Sequence, residues 1–169
     1  MHETQMSTTH DPIRILFVCH GNICRSTMAE FVMKDLARKA GLENSLVIAS
    51  AATSAEEIGN DTHPGTKRVL DKHEIPYQLR AARQLRGEDE VNWDYIIGMD
   101  SANMRNIARM LPHAHEHAMV TKLASFAGHD HDIADPWYTG DFNTTYADVT
   151  AGCQGLLREI QTKYIGYAE

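Results

Sequence analysis

The stretch from Cys19 to Ser26 constrains the fold more than any other part of the sequence. It follows an apolar run that begins at Ile13 and is typical of a buried strand, and it leads into an amphipathic helix that starts near Ser26. A Cys-x5-Arg-Ser loop, with Gly21 and Asn22 inside it, therefore joins the carboxyl end of a strand to a helix N-terminus. Such a connection favours an α/β fold in which the loop lies at the ligand-binding edge of a parallel sheet.

The loop combines a thiol with groups that bind anions. A thiolate is a much better nucleophile than a thiol, and loop N–H groups, a helix N-terminus and the nearby Arg25 all stabilise it. The same donors bind a phosphate dianion, and Arg25 can bind two of its oxygens at once. Ser26 can cap the helix and donate its hydroxyl to the sulfur. We therefore predict that Cys19 attacks phosphorus to form a cysteinyl-phosphate, and that no metal or cofactor takes part.

The predicted phosphate-binding loop runs from the residue after the nucleophile to the start of the helix. Its members are His20, Gly21, Asn22, Ile23, Cys24, Arg25 and Ser26. Gly21 lets the backbone approach a ligand closely, and Asn22 tolerates an unusual backbone conformation. The catalytic residues predicted on this loop are Cys19 as nucleophile and Arg25 as phosphate clamp.

The rest of the chain alternates strands with helices. Apolar runs predict further strands at residues 46–50, 95–99 and 118–123. Helical spacing of apolar residues predicts helices at 26–40, from residue 64, at 101–111 and at 142–165, with a long irregular loop at 124–140. This alternation predicts a parallel sheet with helices on both faces. Because ligands of such sheets bind beyond the carboxyl ends of the strands, Cys19, Ser50 and Asp100 are expected at one edge.

Composition places the chain among ordinary globular proteins. Its 169 residues are 43% hydrophobic and 23% charged, so residues 13–169 are predicted to form one domain after a flexible segment at residues 1–12. A net charge of -7, with Lys and Arg scattered, excludes a nucleic-acid-binding protein. No apolar segment approaches the ~20 residues that span a bilayer, and the polar start lacks a signal-peptide core. Three cysteines without disulfide or zinc spacing fit a reducing compartment, and we expect a cytoplasmic monomer.

On these residues the chain resembles the low-molecular-weight protein tyrosine phosphatases. The resemblance covers nearly everything from Ile13 onwards, and it is carried by the loop at 18–26 and by the segments at 50–54, 95–100 and 135–138. It implies a four-stranded parallel sheet flanked by helices, with the phosphate-binding loop after the first strand. It also implies a hydrolase that acts on phosphotyrosine-containing protein substrates and on small aryl phosphates.

A general acid is needed beside the loop, and two Asp-Pro pairs offer a carboxyl group that can protonate the leaving group and then activate a water. Asp11 precedes the first strand, and eight residues at ~3.3 Å each put it roughly 26 Å from Cys19. Asp135 lies on a long loop with aromatic neighbours and can fold over the phosphate site. The resemblance also implies Asp135 as the general acid. Trp137 and Tyr138 would then line an entrance that favours phosphotyrosine over phosphoserine, with a core role for one of them as the alternative.

Several positions around the loop depart from the family pattern or vary within it. Thr27 replaces the usual Pro after the signature Ser, which is a mild change at a helix start. Glu56 takes a position where many relatives have an aromatic wall, and with Glu57 it is expected to repel acidic phosphopeptides, unless Glu56 only faces solvent. His20 can add charge at the same entrance. We therefore predict a shifted substrate preference, set by a specificity rim of His20, Glu56, Trp137 and Tyr138.

The sequence gives less information about the roles of the remaining cysteines and histidines. The family pattern implies that Cys24 is a redox partner that forms a reversible disulfide with the nucleophile, whereas Cys153 lies on an apolar helix face and is expected in the core. His73 is also expected to be a core histidine, and the resemblance implies that it belongs to a hydrogen-bond network beneath the loop. The histidines at 113–117 and 129–131 lie in polar sequence, so we favour solvated loops over a metal site there.

Three alternatives to a phosphotyrosine protein phosphatase stay open. An arsenate reductase shares this fold and loop, but it needs further cysteines on a mobile loop, and Cys153 does not suit. A protein arginine phosphatase on the same fold favours a Thr where this loop has Ile23. A catalytically dead phospho-binding module conflicts with the presence of every predicted catalytic residue. A phosphotyrosine protein phosphatase is therefore the leading hypothesis.

Overall fold

Four parallel strands form the sheet in the computed structural model, which describes residues 11–165. They are β1 (Ile13–Cys19), β2 (Leu46–Ala52), β3 (Tyr95–Gly98) and β4 (Met119–Lys122). The strand order is β2-β1-β3-β4, and β1 pairs with β2 along its whole length. The predicted fold class, an α/β fold with a four-stranded parallel sheet, is confirmed. Most of the predicted flexible segment, residues 1–12, lies outside the described residues, and the single-domain organisation of residues 13–169 stays a prediction.

Five α-helices occur within the described part of the chain, of which the first three connect successive strands and the last two follow β4. They are α1 (Arg25–Lys39), α2 (Pro64–Lys72), α3 (Ser101–Met110), α4 (Pro136–Thr139) and α5 (Phe142–Ile160). Short 3-10 segments occur at Gly87–Glu90, Ala114–Glu116 and Leu123–Ala127, and α5 continues as a π-helical turn at Gln161–Ile165. The loop predicted to be irregular at 124–140 therefore contains two helical pieces. No helix between residues 11 and 165 is long and apolar enough to cross a membrane.

β1 is apolar along most of its length because both faces of the sheet are covered. Phe17 joins the core formed with α1 and α5 on one face. Leu16 and Val18 join a second core with Ile107 of α3 on the other face. Each such side chain contributes about 1.5–3 kcal/mol when it is fully buried. The loop after β1 therefore starts from a strand that is anchored on both sides.

The carboxyl ends of three adjacent strands bring polar side chains to one edge of the sheet. β2 runs two residues past its predicted end at Ser50, because these residues pair with the end of β1. β3 ends at Gly98, and Asp100 then caps α3 by accepting the N–H of Asn103 at 2.7 Å. Cys19, Ser50 and Asp100 therefore lie at the same edge, as predicted.

Two predictions about buried residues have different outcomes. Cys153 is fully buried on α5, which confirms its core position. His73 is exposed, so its predicted core position is wrong. The reason is that α2 ends at Lys72, and His73 follows as its cap with the imidazole ring stacked on Tyr146 at a centroid distance of 4.0 Å.

Candidate active site

Asn22 fixes the shape of the loop after β1. It is fully buried, and its φ of 61° lies in the left-handed region, which Asn tolerates better than most residues other than Gly. Its Nδ2 donates to Ser26 Oγ at 2.8 Å and to Ser50 Oγ at 2.9 Å. Its Oδ1 accepts from the backbone N–H of Arg83 at 3.2 Å and from the Arg80 guanidinium. Because donor and acceptor atoms are both used on neighbouring segments, the turn is held from several directions.

Arg80 completes a hydrogen-bond network beneath the loop. It is half-buried, and burial lowers the pKa of its guanidinium, although nearby carboxylates and Cys19 oppose this effect. Ser50 Oγ, which accepts from Asn22, donates in turn to Glu30 Oε1 at 2.6 Å. The place expected for His73 beneath the loop is thus taken by an arginine, which stays charged at any ordinary pH. No periodic pattern in the sequence around Arg80 indicated this contact.

The Cys19 sulfur lies at the N-terminus of α1 beside two hydrogen-bond donors. It is 3.1 Å from Ser26 Oγ, and it accepts the Ser26 backbone N–H at 3.4 Å. Because Asn22 already donates to Ser26 Oγ, the hydroxyl proton of Ser26 is free to be donated to the sulfur. Both donors can therefore stabilise negative charge on the sulfur.

Arg25 lies between two carboxylates. Its Nη1 donates to Asp100 Oδ2 at 2.7 Å and to the Ile133 carbonyl at 2.9 Å, and its Nη2 donates to Asp135 Oδ2 at 3.2 Å. Burial alone would lower the pKa of Arg25, but the negative charge of Cys19 and the hydrogen bond to Asp100 raise it above its ordinary value. The Arg25 Nε is buried and has no hydrogen-bond partner among the described residues. A buried N–H without an acceptor is rare, so this group points to an anionic ligand.

Backbone donors accompany Arg25. The N–H groups of residues 20–24 donate to no protein acceptor within the described part of the chain. They lie between the end of β1 and the first turn of α1, where unpaired N–H groups and the helix dipole favour negative charge. The predicted phosphate-binding loop thus offers the donors that a phosphate needs.

Asp135 is the carboxyl group that the fold brings to the loop. Its Oδ1 accepts the N–H of Trp137 at 3.0 Å and caps α4, while its Oδ2 contacts Arg25. The competing Asp11 is exposed and precedes β1, at the opposite end of the strand from Cys19. Asp135 therefore has the position that a general acid requires, and Asp11 does not.

One cavity gathers most of the predicted site residues. It is lined by Cys19, His20, Gly21, Ile23, Cys24, Glu56, Glu57, Asp135, Trp137 and Tyr138. The other three loop residues, Asn22, Arg25 and Ser26, are buried behind this lining. Trp137 is 57% exposed and Tyr138 is 82% exposed, so the alternative of a core role for either one is wrong.

The acidic side of the rim packs against the loop. Glu56 Oε1 lies 3.2 Å from His20 Nε2, but the Glu56 side chain is 68% exposed, so its effect on substrate preference stays a prediction. Glu57 passes close to Gly21, where an added Cβ would lie 3.3 Å from Glu57 Cγ. The carboxylate of Glu57 also accepts from Asn60 Nδ2 at 2.8 Å. Two carboxylates and one histidine thus form this flank of the entrance.

Cys24 lies in the same cavity as Cys19, and both cysteines are free thiols. Burial raises the pKa of Cys24 to about 12, and the negative charge of Cys19 adds to the effect. Cys24 therefore stays protonated at neutral pH and does not compete as a nucleophile. Its predicted redox partnership with Cys19 stays a prediction.

In the histidine-rich segments, side chains contact each other or residues close by in the sequence. His129 and His131 stack with ring centroids 4.9 Å apart, and His113 Nδ1 lies 3.2 Å from Glu116 Oε2. Between residues 11 and 165, no group of three or more His, Cys, Asp or Glu side chains is arranged to hold a metal ion.

Comparison with known proteins decides the family. A family model described as low molecular weight phosphotyrosine protein phosphatase matches residues 14–165. The chain belongs to this family. The predicted resemblance is therefore confirmed, and so is the expectation of an enzyme, a hydrolase of the protein tyrosine phosphatase class.

Relatives of this low molecular weight phosphatase match it over most of its length. The low molecular weight protein-tyrosine-phosphatase YfkJ of Bacillus subtilis is 39% identical over 152 residues, which cover 88% of this chain and 96% of YfkJ. The crystal structure of YfkJ aligns with a TM-score of 0.87 at 36% identity, covering 92% of this chain and 98% of that one. A Schizosaccharomyces pombe low molecular weight phosphotyrosine protein phosphatase is 40% identical over 153 residues, 88% of this chain and 97% of its own.

The fold is shared with a phosphatase that is named for another substrate. The crystal structure of a Drosophila arginine phosphatase aligns with a TM-score of 0.82 at 26% identity, covering 89% of this chain and 99% of that one. The fold alone therefore does not choose between phosphorylated amino acids, and the choice depends on the residues of the site.

Proposed function

We propose that this phosphatase hydrolyses phosphotyrosine in proteins through a cysteinyl-phosphate intermediate. Cys19 is the nucleophile, Arg25 is the phosphate clamp, and Asp135 is the general acid and then the general base. The observation that carries the proposal is a pairing on one loop. The Cys19 sulfur accepts the Ser26 N–H and lies 3.1 Å from the Ser26 hydroxyl oxygen, and the Nε of the buried Arg25 has no partner among the described residues. A phosphate between them meets the nucleophile and supplies the acceptor that Nε lacks.

In the first step, the Cys19 thiolate attacks phosphorus in line with the tyrosyl oxygen. The sulfur–phosphorus bond forms as the phosphorus–oxygen bond breaks, and Asp135 transfers its proton to the departing phenolate. The loop N–H groups and Arg25 stabilise the charge on the three remaining oxygens. Because a bound phosphate competes with Asp135 for the Arg25 guanidinium, its arrival releases the carboxyl group for proton transfer.

In the second step, a water molecule attacks the phosphorus of the intermediate. Asp135, now ionised, accepts a proton from this water, and the sulfur leaves as a thiolate. Ser26 lies 3.1 Å from the sulfur and donates its hydroxyl to it, which makes the thiolate a better leaving group. Inorganic phosphate and the starting form of Cys19 result.

The rim supports a preference for phosphotyrosine over phosphoserine. Trp137 and Tyr138 line the entrance and are mostly exposed, so they can contact the ring of an aryl phosphate. A phosphoserine side chain is shorter and has no ring, so we expect it to gain less from this aromatic entrance. Glu56 and His20 are paired at the same entrance and stay our candidates for the shifted substrate preference.

Two alternative activities, arsenate reduction and phosphoarginine hydrolysis, are distinguished by the substrate panel described below. A relay of thiols for arsenate reduction is disfavoured because Cys153 is fully buried on α5, where burial raises the pKa of its thiol above the ordinary value. Ile23 at the position where a Thr is expected disfavours phosphoarginine. The cytoplasmic location, the monomeric state and the lack of nucleic-acid or membrane partners stay predictions.

The test is a substrate panel with the wild type and a Cys19→Ser variant. We expect hydrolysis of para-nitrophenyl phosphate and of phosphotyrosine peptides, with much slower turnover of phosphoserine and phosphoarginine and no reduction of arsenate. The Cys19→Ser change is expected to lower kcat by a factor on the order of 10⁴ or more, because the nucleophile is lost. A preference for phosphoarginine, or activity that survives the Cys19→Ser change, would refute the proposal.

A further inference from the structure

A second groove lies between α2 and the start of α5. Its walls include Arg68 and Lys72 of α2, together with Gly140, Phe142 and Asn143 from the other side. Arg68 and Lys72 are four residues apart, so they project from the same face of the helix. The groove thus presents two cationic side chains on a chain whose net charge is -7.

Three aromatic rings connect this groove to the active-site cavity. Trp137, which lines the cavity, meets His63 edge-to-face at a centroid distance of 5.7 Å. His63 stacks on Phe142, which lines the groove, at 5.2 Å. The rings of Trp137 and Phe142 are therefore at most about 11 Å apart, a distance that an extended peptide covers in about three residues. When the phosphotyrosine of a peptide enters the cavity, the residue three or four positions along that peptide can therefore reach the groove.

The two cations of the groove are not neutralised by the protein. Arg68 is exposed and forms no ion pair with another described residue, and Lys72 Nζ has only a long contact of 3.5 Å with the neutral amide oxygen of Asn143. Lys67 on the same helix differs, because it is paired with Asp61 at 2.6 Å. Arg68 and Lys72 are therefore available to an external anion.

The acidic side chains nearest in sequence to the groove are already engaged. Asp141 accepts the backbone N–H of Thr144 at 3.0 Å and its hydroxyl at 2.6 Å. Asp71 accepts the hydroxyl of Tyr77 at 3.1 Å. Because these donors are neutral, both carboxylates keep their negative charge, and the hydrogen bonds to Thr144 lower the pKa of Asp141. The lining of the groove itself contains the two cations and no carboxylate.

The other flank of the cavity has the opposite charge. Glu56 and Glu57 line the entrance next to His20 and Gly21, whereas Trp137 is the lining residue that contacts the groove through His63 and Phe142. An extended substrate that crosses the entrance therefore meets carboxylates on one flank and the cationic groove on the other.

We propose that the groove formed by Arg68 and Lys72 binds an acidic side chain of the phosphotyrosine substrate, while Glu56 and Glu57 favour a basic side chain on its other side. This inference rests on the proposed phosphotyrosine phosphatase function. It assigns the substrate class as phosphotyrosine segments with opposite charges on their two sides. The acidic residue lies three or four positions from the phosphotyrosine.

The test uses synthetic phosphotyrosine peptides that differ only in charge placement. A neutral parent is compared with four derivatives, which carry two Asp or two Lys at the third and fourth positions before or after the phosphotyrosine. At low ionic strength we expect Asp to raise kcat/KM about threefold to tenfold on one side only, and Lys to raise it on the opposite side only. Added salt is expected to remove both effects.

Two charge-matched double variants identify the groove. Arg68→Glu with Lys72→Glu is expected to turn the preference for Asp on that side into a preference for Lys. Arg105→Glu with Arg109→Glu makes the same change in net charge on α3, and it is expected to leave both preferences in place. Equal effects of Asp on both sides, or equal behaviour of the two double variants, would overturn the inference.

The outcomes separate this inference from the proposed function. Hydrolysis of para-nitrophenyl phosphate by both double variants at the wild-type rate is expected, and it also verifies that they fold. If the neutral peptide and para-nitrophenyl phosphate are hydrolysed but charge placement has no effect, only the groove assignment fails. If neither is hydrolysed by the wild type, the proposed function itself fails and the inference with it.

Discussion

The predicted phosphate-binding loop and the predicted rim around it are built in different ways. Within the loop, Asn22 and Arg25 are at most 2% exposed, and each is held by side chains from distant segments. On the rim, Trp137 and Tyr138 are more than half exposed, and Glu56 has a single ionic contact with its surroundings. Trp137, Tyr138 and Glu56 line the cavity, whereas Asn22 and Arg25 are buried behind the loop residues that line it.

This difference in burial predicts that the loop controls catalysis and that the rim controls substrate selectivity. Removing one partner of a buried, charge-assisted hydrogen bond costs about 1.5–3 kcal/mol or more, because the other partner is left without compensation. An exposed ion pair contributes about 0–1 kcal/mol and is screened by salt. Changes in the loop should therefore lower turnover of every substrate, whereas changes on the rim should alter the ranking among substrates.

The largest contrast is expected between the two thiols of the loop. Because burial raises the pKa of Cys24 to about 12, a fraction on the order of 10⁻⁵ of it is thiolate at pH 7, and this fraction grows about tenfold with each pH unit. Iodoacetamide at pH 7 is therefore expected to label Cys19 and not Cys24, as read by tandem mass spectrometry. A Cys24→Ser control should be labelled as fast as the wild type. Preferential labelling of Cys24 at pH 7 would remove the distinction.

The next effect concerns Asp135, which lies where the loop and the rim meet. An Asp135→Asn change is expected to lower kcat/KM for a phosphotyrosine peptide by about 10²-fold or more, because the phenolate then leaves without a proton. The loss with para-nitrophenyl phosphate should be smaller, because nitrophenolate leaves readily without protonation. Steady-state kinetics with both substrates provide the measurement. An equal loss with both would argue against a role in leaving-group protonation.

A moderate effect is expected beneath the loop. Arg80→Gln removes the charge that holds Asn22 and should lower kcat about tenfold for every substrate, consistent with the loss of one charged hydrogen bond. Arg80→Lys keeps the charge and should recover part of the activity. Arg105→Gln, on the exposed face of α3, is the matched control. If kcat stays unchanged in Arg80→Gln while the melting temperature falls, the residue supports only stability.

The smallest effect is expected on the rim. Glu56→Gln removes one exposed carboxylate that repels acidic peptides. The change should therefore raise kcat/KM by about two- to threefold at low salt for phosphopeptides whose acidic residues lie next to Glu56 when bound. The same change should leave para-nitrophenyl phosphate turnover unaltered. Kinetics at two ionic strengths check this result. An equal change with the small aryl phosphate would show that Glu56 acts on catalysis instead.

The sequence carried enough information to predict the loop and the edge on which it lies. The apolar run before Cys19 and the helical pattern after Ser26 set both ends of the loop locally. Parallel strand order then places Ser50 and Asp100 beside it, because carboxyl ends of neighbouring strands meet at one edge. These predictions depend on short-range patterns and on one topological rule.

Contacts that depend on the path of an irregular segment could not be predicted. Arg80 lies in a stretch without strand or helix periodicity, and only the return of this stretch beneath the loop brings it to Asn22. Helical spacing predicts a core position for His73, but α2 ends one residue earlier. The pairing of Arg68 and Lys72 with the start of α5 likewise depends on packing between distant helices.

The most direct test of the account is to trap the phosphoenzyme. Wild type is mixed with excess para-nitrophenyl phosphate, quenched during turnover and digested, and the phosphorylated residue is located by tandem mass spectrometry. A Cys24→Ser variant run in parallel excludes migration of the phosphoryl group between neighbouring thiols. The account predicts one phosphoryl group on Cys19 in both proteins. Phosphate found on Cys24, or rapid turnover with no phosphorylated cysteine, would contradict it.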